Sequence, residues 1–299
     1  MKTDYKKYLE PETIAKLDNI ELKARLVVEG FITGLHKSPY HGFSVEFAEH
    51  RQYRPGDETR HIDWKVFART NRYYVKEFEE ETNLRCNIVL DKSGSMAYTS
   101  KGNIPKFEYA IYLAAAIAYM LINQRDATGL ALYDTEIETY LPPKSKASYI
   151  HEILRTLART ETSNETGTAK ALDGLAERIK RRGLVVIMSD FFDEPESILN
   201  AIRHFRHKNH DLIVFHILDP REIDFELGSG ATFRDLETKE ELLTLPYHIQ
   251  KEYKQTMEEF IEQIKRQCVK NNVDYNLIVT SDSFDKPLRE FIAKRNKVR

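Results

Sequence analysis

The run Asp91-Lys92-Ser93-Gly94-Ser95 places one carboxylate and two hydroxyls on a single turn, directly after the apolar stretch Leu84–Leu90. Gly94 lets the backbone fold tightly between the two serines. Oxygen donors of these types suit a hard cation. Mg2+ comes first, with Mn2+ or Ca2+ as the other candidates, because Mg2+ takes only one or two carboxylates and keeps water in its shell. Zinc would ask for nitrogen or sulfur, and the turn offers neither. Two further loops could complete such a site. Thr166-Gly167-Thr168 precedes a helical stretch, so Thr168 is either that helix's N-cap or a hydroxyl ligand. Ser189-Asp190 follows the apolar stretch Leu184–Met188 and would leave Asp190 at a strand end, like Asp91. The candidate ligand set is Asp91, Ser93, Ser95, Thr168 and Asp190. A strand-edge position predicts solvated carboxylates, so Asp91→Ala is expected to leave stability in chelator nearly unchanged.

These side chains can meet only if the elements beneath them share one sheet. From residue 84 short apolar runs alternate with longer amphipathic ones. The strand candidates are Leu84–Leu90, Ala127–Tyr133, Ile137–Leu141 (closed by Pro142 and Pro143), Leu184–Met188, Leu212–Leu218 and Val273–Val279. Between and after them, Phe107–Ile122, Ser148–Arg159, Thr168–Arg182, Pro195–Lys208, Pro246–Asn271 and Lys286–Arg295 read as helices. Gly183 stands where a left-handed residue would end a helix. Strands apolar throughout need cover on both faces, so the pattern predicts an α/β fold with a doubly wound, mainly parallel sheet. In the commonest strand order the first and fourth strands flank the point where winding reverses, which would set Asp91 and Asp190 on either side of one crevice. Glu222–Leu245, with Gly228 and Gly230, reads as a β-rich insertion at one edge. Residues 1–82, with turn signals at His41-Gly42 and Pro55-Gly56, read as a smaller N-terminal module, and 83–299 as the sheet domain.

Bulk properties narrow the function. A formal net charge of -2 argues against a nucleic-acid or acidic-lipid binder. No apolar run approaches the length of a membrane-spanning helix, and the N-terminus lacks the apolar stretch of a secretory signal. Cys86 and Cys268 have no metal-type spacing and read as reduced, buried thiols; with the missing signal they point to a cytoplasmic protein. His204, His207 and His210, and the basic runs Arg178–Arg182 and Lys294–Arg299, read as solvated helix ends. Phosphate-cradling loops and nucleophile elbows are missing, and Ser93 has no base nearby.

Asp91, Ser93 and Ser95, then Thr168, then Asp190 resemble the metal-ion-dependent adhesion site of von Willebrand factor A domains. The resemblance implies that the two serines and the threonine bind the ion directly. It implies that the aspartates act mostly through bound water and that a partner's Asp or Glu fills one open position. Upstream, Tyr53-Arg54-Pro55-Gly56-Asp57, Arg60-His61-Ile62-Asp63-Trp64, Ala68-Arg69 and Val75-Lys76 are similar to the signature of domain of unknown function 58, as are Gly34-Leu35-His36 and Gly42–Phe47. That family implies a MoxR-type AAA+ ATPase as companion and a role in assembly or maturation of other proteins. The expectation is a non-enzymatic, metal-dependent adaptor. The alternative is a Mg2+-dependent hydrolase or phosphotransferase using the same edge; against it, the second Asp of such phosphatases is replaced by Ser93, and Lys92 should point away. Arg60, Asp63 and Arg69 are expected to form an ion-pair cluster around Trp64, with Trp64 buried where the module meets the sheet; the alternative is that these residues form a docking surface.

Overall fold

From the N-terminus, helices α1 (Pro11–Ala15) and α2 (Ile20–His36) precede a small antiparallel pair, β1 (His50–Gln52) and β2 (Tyr74–Lys76), with α3 (Trp64–Thr70) between its strands. The chain then runs through β3 (Arg85–Asp91), a 3-10 turn (Gly94–Ala97), α4 (Lys106–Asn123), β4 (Ala127–Tyr133), β5 (Ile137–Lys144) and α5 (Tyr149–Arg159). Next come α6 (Thr168–Arg178), β6 (Leu184–Ser189), α7 (Pro195–His207), β7 (Asp211–Leu218) and α8 (Pro220–Asp224). A hairpin of β8 (Ala231–Arg234) and β9 (Glu241–Thr244) leads to α9 (Pro246–Lys270), β10 (Asp274–Val279) and α10 (Asp285–Lys297). This computed structural model describes residues 9–36, 50–53, 64–76, 84–163, 167–225, 231–234, 241–244 and 246–297. His41-Gly42, Gly42–Phe47, Arg54–Asp57, Arg60–Asp63, Thr166, Gly228 and Gly230 lie outside the described residues.

The main sheet has the order β10-β7-β6-β3-β4-β5, all parallel except β5. Winding runs outward from β3 through β4 to β5, then returns to β6 on the other side of β3. The first and fourth strands of the sheet are therefore neighbours, as the alternation predicts. β5 is antiparallel for a local reason: the three residues 134–136 between it and β4 are too few for a parallel crossover. Asp134 ties that turn by accepting the Thr135 N–H at 2.6 Å. β5 also continues through Pro142 and Pro143 to Lys144, three residues beyond the expected stop at Leu141. An edge strand tolerates this, since a proline there can turn its missing N–H away from the ladder.

Each strand feeds two cores. Ile88 and Leu90 of β3 face α2, α4, α5 and α10, whereas Val89 joins Val185, Ile187 and Val214 under α6, α7 and α9. β6, buried on both faces, is apolar until its terminal serine. Helix α4, which packs on β3 and β4, is buried nearly all round. Leu9, Ile14, Val27 and Phe31 from the first two helices lie in the same core as α4, and Lys23 Nζ donates to Tyr112 Oη at 2.6 Å. Among the described residues, no helix is long and apolar enough to cross a membrane.

Two expectations need correction. Gly183 is not a left-handed helix end: α6 stops at Arg178, and only Gly102 among the described glycines has positive φ. Gly183 is required instead by close approach, because a Cβ there would lie 2.4 Å from the Arg85 carbonyl oxygen. Trp64 is 57% exposed rather than buried at a junction, and its ring meets Phe67 edge-on at 6.0 Å. As the first residue of a two-turn helix it is carried on the surface of α3. Trp64→Ala is therefore expected to change unfolding free energy by about 0.5 kcal/mol or less, the usual effect of a surface substitution. A denaturant melt showing a loss of about 3 kcal/mol would restore the buried assignment.

Candidate functional site

The parallel ladder delivers the ends of β3 and β6 to one edge, with Leu90 level with Met188 and Asp91 level with Tyr133 of β4. Asp91 is the last residue of its strand and 1% exposed. Its Oδ1 accepts the Ser93 N–H at 2.9 Å, which turns the backbone back over the strand end. Its Oδ2 accepts the Ser189 hydroxyl at 2.5 Å and the Thr168 hydroxyl at 3.4 Å. One carboxylate thus joins three of the loops flagged in the sequence. Burial first, and then the neighbouring Asp190 charge, push the Asp91 carboxyl up to about 6. The expectation of a solvated edge is wrong for this group: the strand end is roofed by the loops it organises.

Ser93 and Ser95 stand on the 3-10 turn with their hydroxyl oxygens 3.1 Å apart. Thr168 is the first residue of α6, one beyond its N-cap Gly167, so its hydroxyl is free of the capping role and points to Asp91. Asp190, also 1% exposed, follows β6 and accepts the Phe192 N–H on Oδ1 at 3.2 Å. Ser189 accepts the Phe191 N–H at 2.8 Å, with Phe191 in the left-handed region at φ 55. The loop after β6 is therefore held by two side-chain caps and one strained residue. Neither aspartate caps a regular helix; α7 begins later, after Glu194.

Lys106 is the participant that sequence reading missed. It opens α4 after Pro105, its side chain is 0% exposed, and it donates to Asp190 Oδ2 at 2.7 Å and to Glu222 Oε1 at 2.5 Å. Its signal was present: a lysine beginning a mostly apolar helix must either reach solvent or find a buried counter-ion. Burial drives Glu222 up to about 7 although Lys106 opposes the shift. Lys92, by contrast, turns away to Glu138 and Asp134, as anticipated. Tyr133, beside Asp91, has a buried hydroxyl.

The donor set can be tested against a hard cation by its own spacing. Two ligands adjacent on an octahedron with arms of about 2.1 Å lie about 3.0 Å apart, and the two serine oxygens meet that separation. Every donor is oxygen. Asp91 keeps acceptor capacity beyond its three protein donors, since an ionised carboxylate has about four lone-pair directions. The residues fit Mg2+ or a similar ion. No group of three or more His, Cys, Asp or Glu side chains suited to a metal occurs among the described residues; the candidate set combines two carboxylates with hydroxyls. His204 is taken by Asp173 at 2.7 Å and Glu177 at 2.8 Å, and both cysteines are buried and free.

A doubly wound α/β sheet with one antiparallel edge strand and hydroxyl-bearing loops at its carboxyl edge is the von Willebrand factor A type of fold. BatB from Bacteroides thetaiotaomicron has the same fold, with a TM-score of 0.50 over 71% of this chain and 99% of that one at 16% identity. The SpRpn10 VWA domain is similar over 69% of this chain and 95% of its own, at 13% identity and a TM-score of 0.41. The chain belongs to the family described as "Protein of unknown function DUF58", which matches residues 49–269. An uncharacterized protein of Mycobacterium tuberculosis (strain ATCC 25618 / H37Rv) is 28% identical over 232 residues, 77% of this chain and 72% of the relative.

Proposed function

We propose that this chain is a non-enzymatic adaptor that grips a partner protein through one divalent ion, Mg2+ or a similar hard cation. Ser93, Ser95 and Thr168 would hold the ion through their hydroxyls, and Asp91 and Asp190 would orient its water. The ion would supply an open coordination position for an Asp or Glu of the partner. The observation that carries this reading is the convergence of three loops on Asp91, with two serine oxygens at the spacing of adjacent metal ligands. The partner in this reading is a MoxR-type AAA+ ATPase, the pair acting in the assembly or maturation of other proteins in the cytoplasm. A pull-down from lysate, read by mass spectrometry, tests it: the ATPase should be retained in Mg2+ and lost in EDTA. Retention indifferent to EDTA would sink the metal-dependent grip.

The alternative, a Mg2+-dependent hydrolase or phosphotransferase, gains a lysine at the right edge. That lysine is spent on Asp190 and Glu222, however, and Asp91 is bonded to Ser93, Thr168 and Ser189 rather than exposed for attack. Turnover of a generic phosphatase substrate that disappears in Asp91→Asn would favour it.

The buried carboxylate makes metal binding depend on pH. An ion needs Asp91 ionised, and burial pushes its carboxyl up to about 6. Below that value a proton competes with the ion, so apparent Mg2+ affinity should fall by up to about tenfold per pH unit and be level above about pH 7. Calorimetric titrations on both sides of that range check it. Affinity unchanged down to about pH 5 would show that Asp91 is not coupled to the ion.

A further inference from the structure

We propose that Lys106 is a positioning residue of this site: a built-in cation that sets how much of Asp190's negative charge is left for the divalent ion, with Glu222 setting Lys106's own share. The inference rests on the metal reading above and deepens it. Fully buried lysines are rare unless paired, and this one is enclosed. Its ammonium lies 4.7 Å from the centre of the Phe192 ring and 5.9 Å from that of Tyr98, so water does not screen its charge. It has two carboxyl partners, Asp190 and Glu222. Glu222 is itself fixed, because its Oε2 accepts the Asp219 N–H at 2.8 Å within a capping box at the start of α8. Asp219 in turn accepts the Arg221 N–H at 2.8 Å and the Ser100 N–H at 2.9 Å, which fastens the turn to the loop after Ser95. Lys106 can therefore neither leave Asp190 nor exchange it for solvent.

Asp190 is the group shared by the internal cation and the candidate metal position. Charges at such short range in a poorly hydrated site interact strongly, so the order of metal affinities reports Lys106's charge. With Glu222 neutral, Lys106 acts on Asp190 undiluted and repels an arriving ion. With Glu222 and Lys106 both neutral, Asp190's charge is wholly available. The wild type lies between. General structural damage would weaken binding in both variants and cannot produce a recovery in the second.

The experiment titrates Mg2+ and Mn2+ into the full chain by calorimetry for wild type, Glu222→Gln and the double variant Lys106→Met/Glu222→Gln. Glu222→Gln should bind several-fold more weakly than wild type, and the double variant at least about tenfold more tightly than Glu222→Gln. Affinities equal within about twofold, or a double variant weaker than Glu222→Gln, would make Lys106 a structural ion pair only. If the double variant fails to fold, Glu222→Gln against wild type still decides, since unchanged or tighter binding there overturns the inference. A wild type that binds neither ion removes the metal reading and this inference with it; a wild type that binds while the order fails removes this inference alone.

Discussion

Asp91→Asn is expected to abolish Mg2+ binding and, in chelator at neutral pH, to make the protein more stable. The sign follows from burial. Burial and then the Asp190 charge penalise the ionised form of Asp91 and push the folded carboxyl up from the ordinary 3.8 to about 6. A group raised in this way stabilises the folded state only while protonated; that contribution is lost as pH rises from the unfolded value through the folded one. Above pH 6 the ionised side chain costs on the order of 1–3 kcal/mol, and a neutral amide relieves it. Asn keeps an acceptor for the Ser93 N–H and can donate to Ser189, so the cap survives. Thermal melts of wild type and variant in EDTA and in Mg2+ measure both effects. The ion should raise the wild-type melting temperature and leave the variant's unmoved. A variant less stable than wild type in EDTA would mean that the carboxylate's hydrogen bonds outweigh its desolvation.

Asp126→Ala is expected to cost about 3–5 kcal/mol, the usual range for breaking a buried ion pair from one side. Asp126 is 0% exposed, and Arg295 donates to its Oδ2 from Nε at 3.0 Å and from Nη2 at 2.7 Å. The bond joins residues 169 apart in sequence, tying α10 to the start of β4 at the edge of the sheet opposite the candidate metal site. Mg2+ affinity of the folded fraction should therefore be unchanged. Denaturant unfolding gives the magnitude; a loss under about 1 kcal/mol would show that α10 is held by its apolar face alone.

The alternation of apolar runs with amphipathic ones was enough to determine a doubly wound parallel sheet, because strands buried on both faces are mostly apolar and need helices to cover them. The candidate ligands could be picked out in the same way, since Asp91, Ser93, Ser95 and Asp190 follow the ends of apolar strands and Thr168 opens a helix. Local sequence could not show what those residues would touch. Burial of Asp91, the hydroxyl of Ser189 on it and the closeness of Tyr133 depend on three strands lying side by side, and strand adjacency is long-range information. Gly183 answers to a carbonyl on another strand, not to its own helix. Lys106 and Glu222 lie 116 residues apart and meet only because α4 and α8 both start at the same sheet edge. Trp64 looked like core because large aromatics usually are; whether a short helix finds a surface to bury it against is decided by tertiary packing.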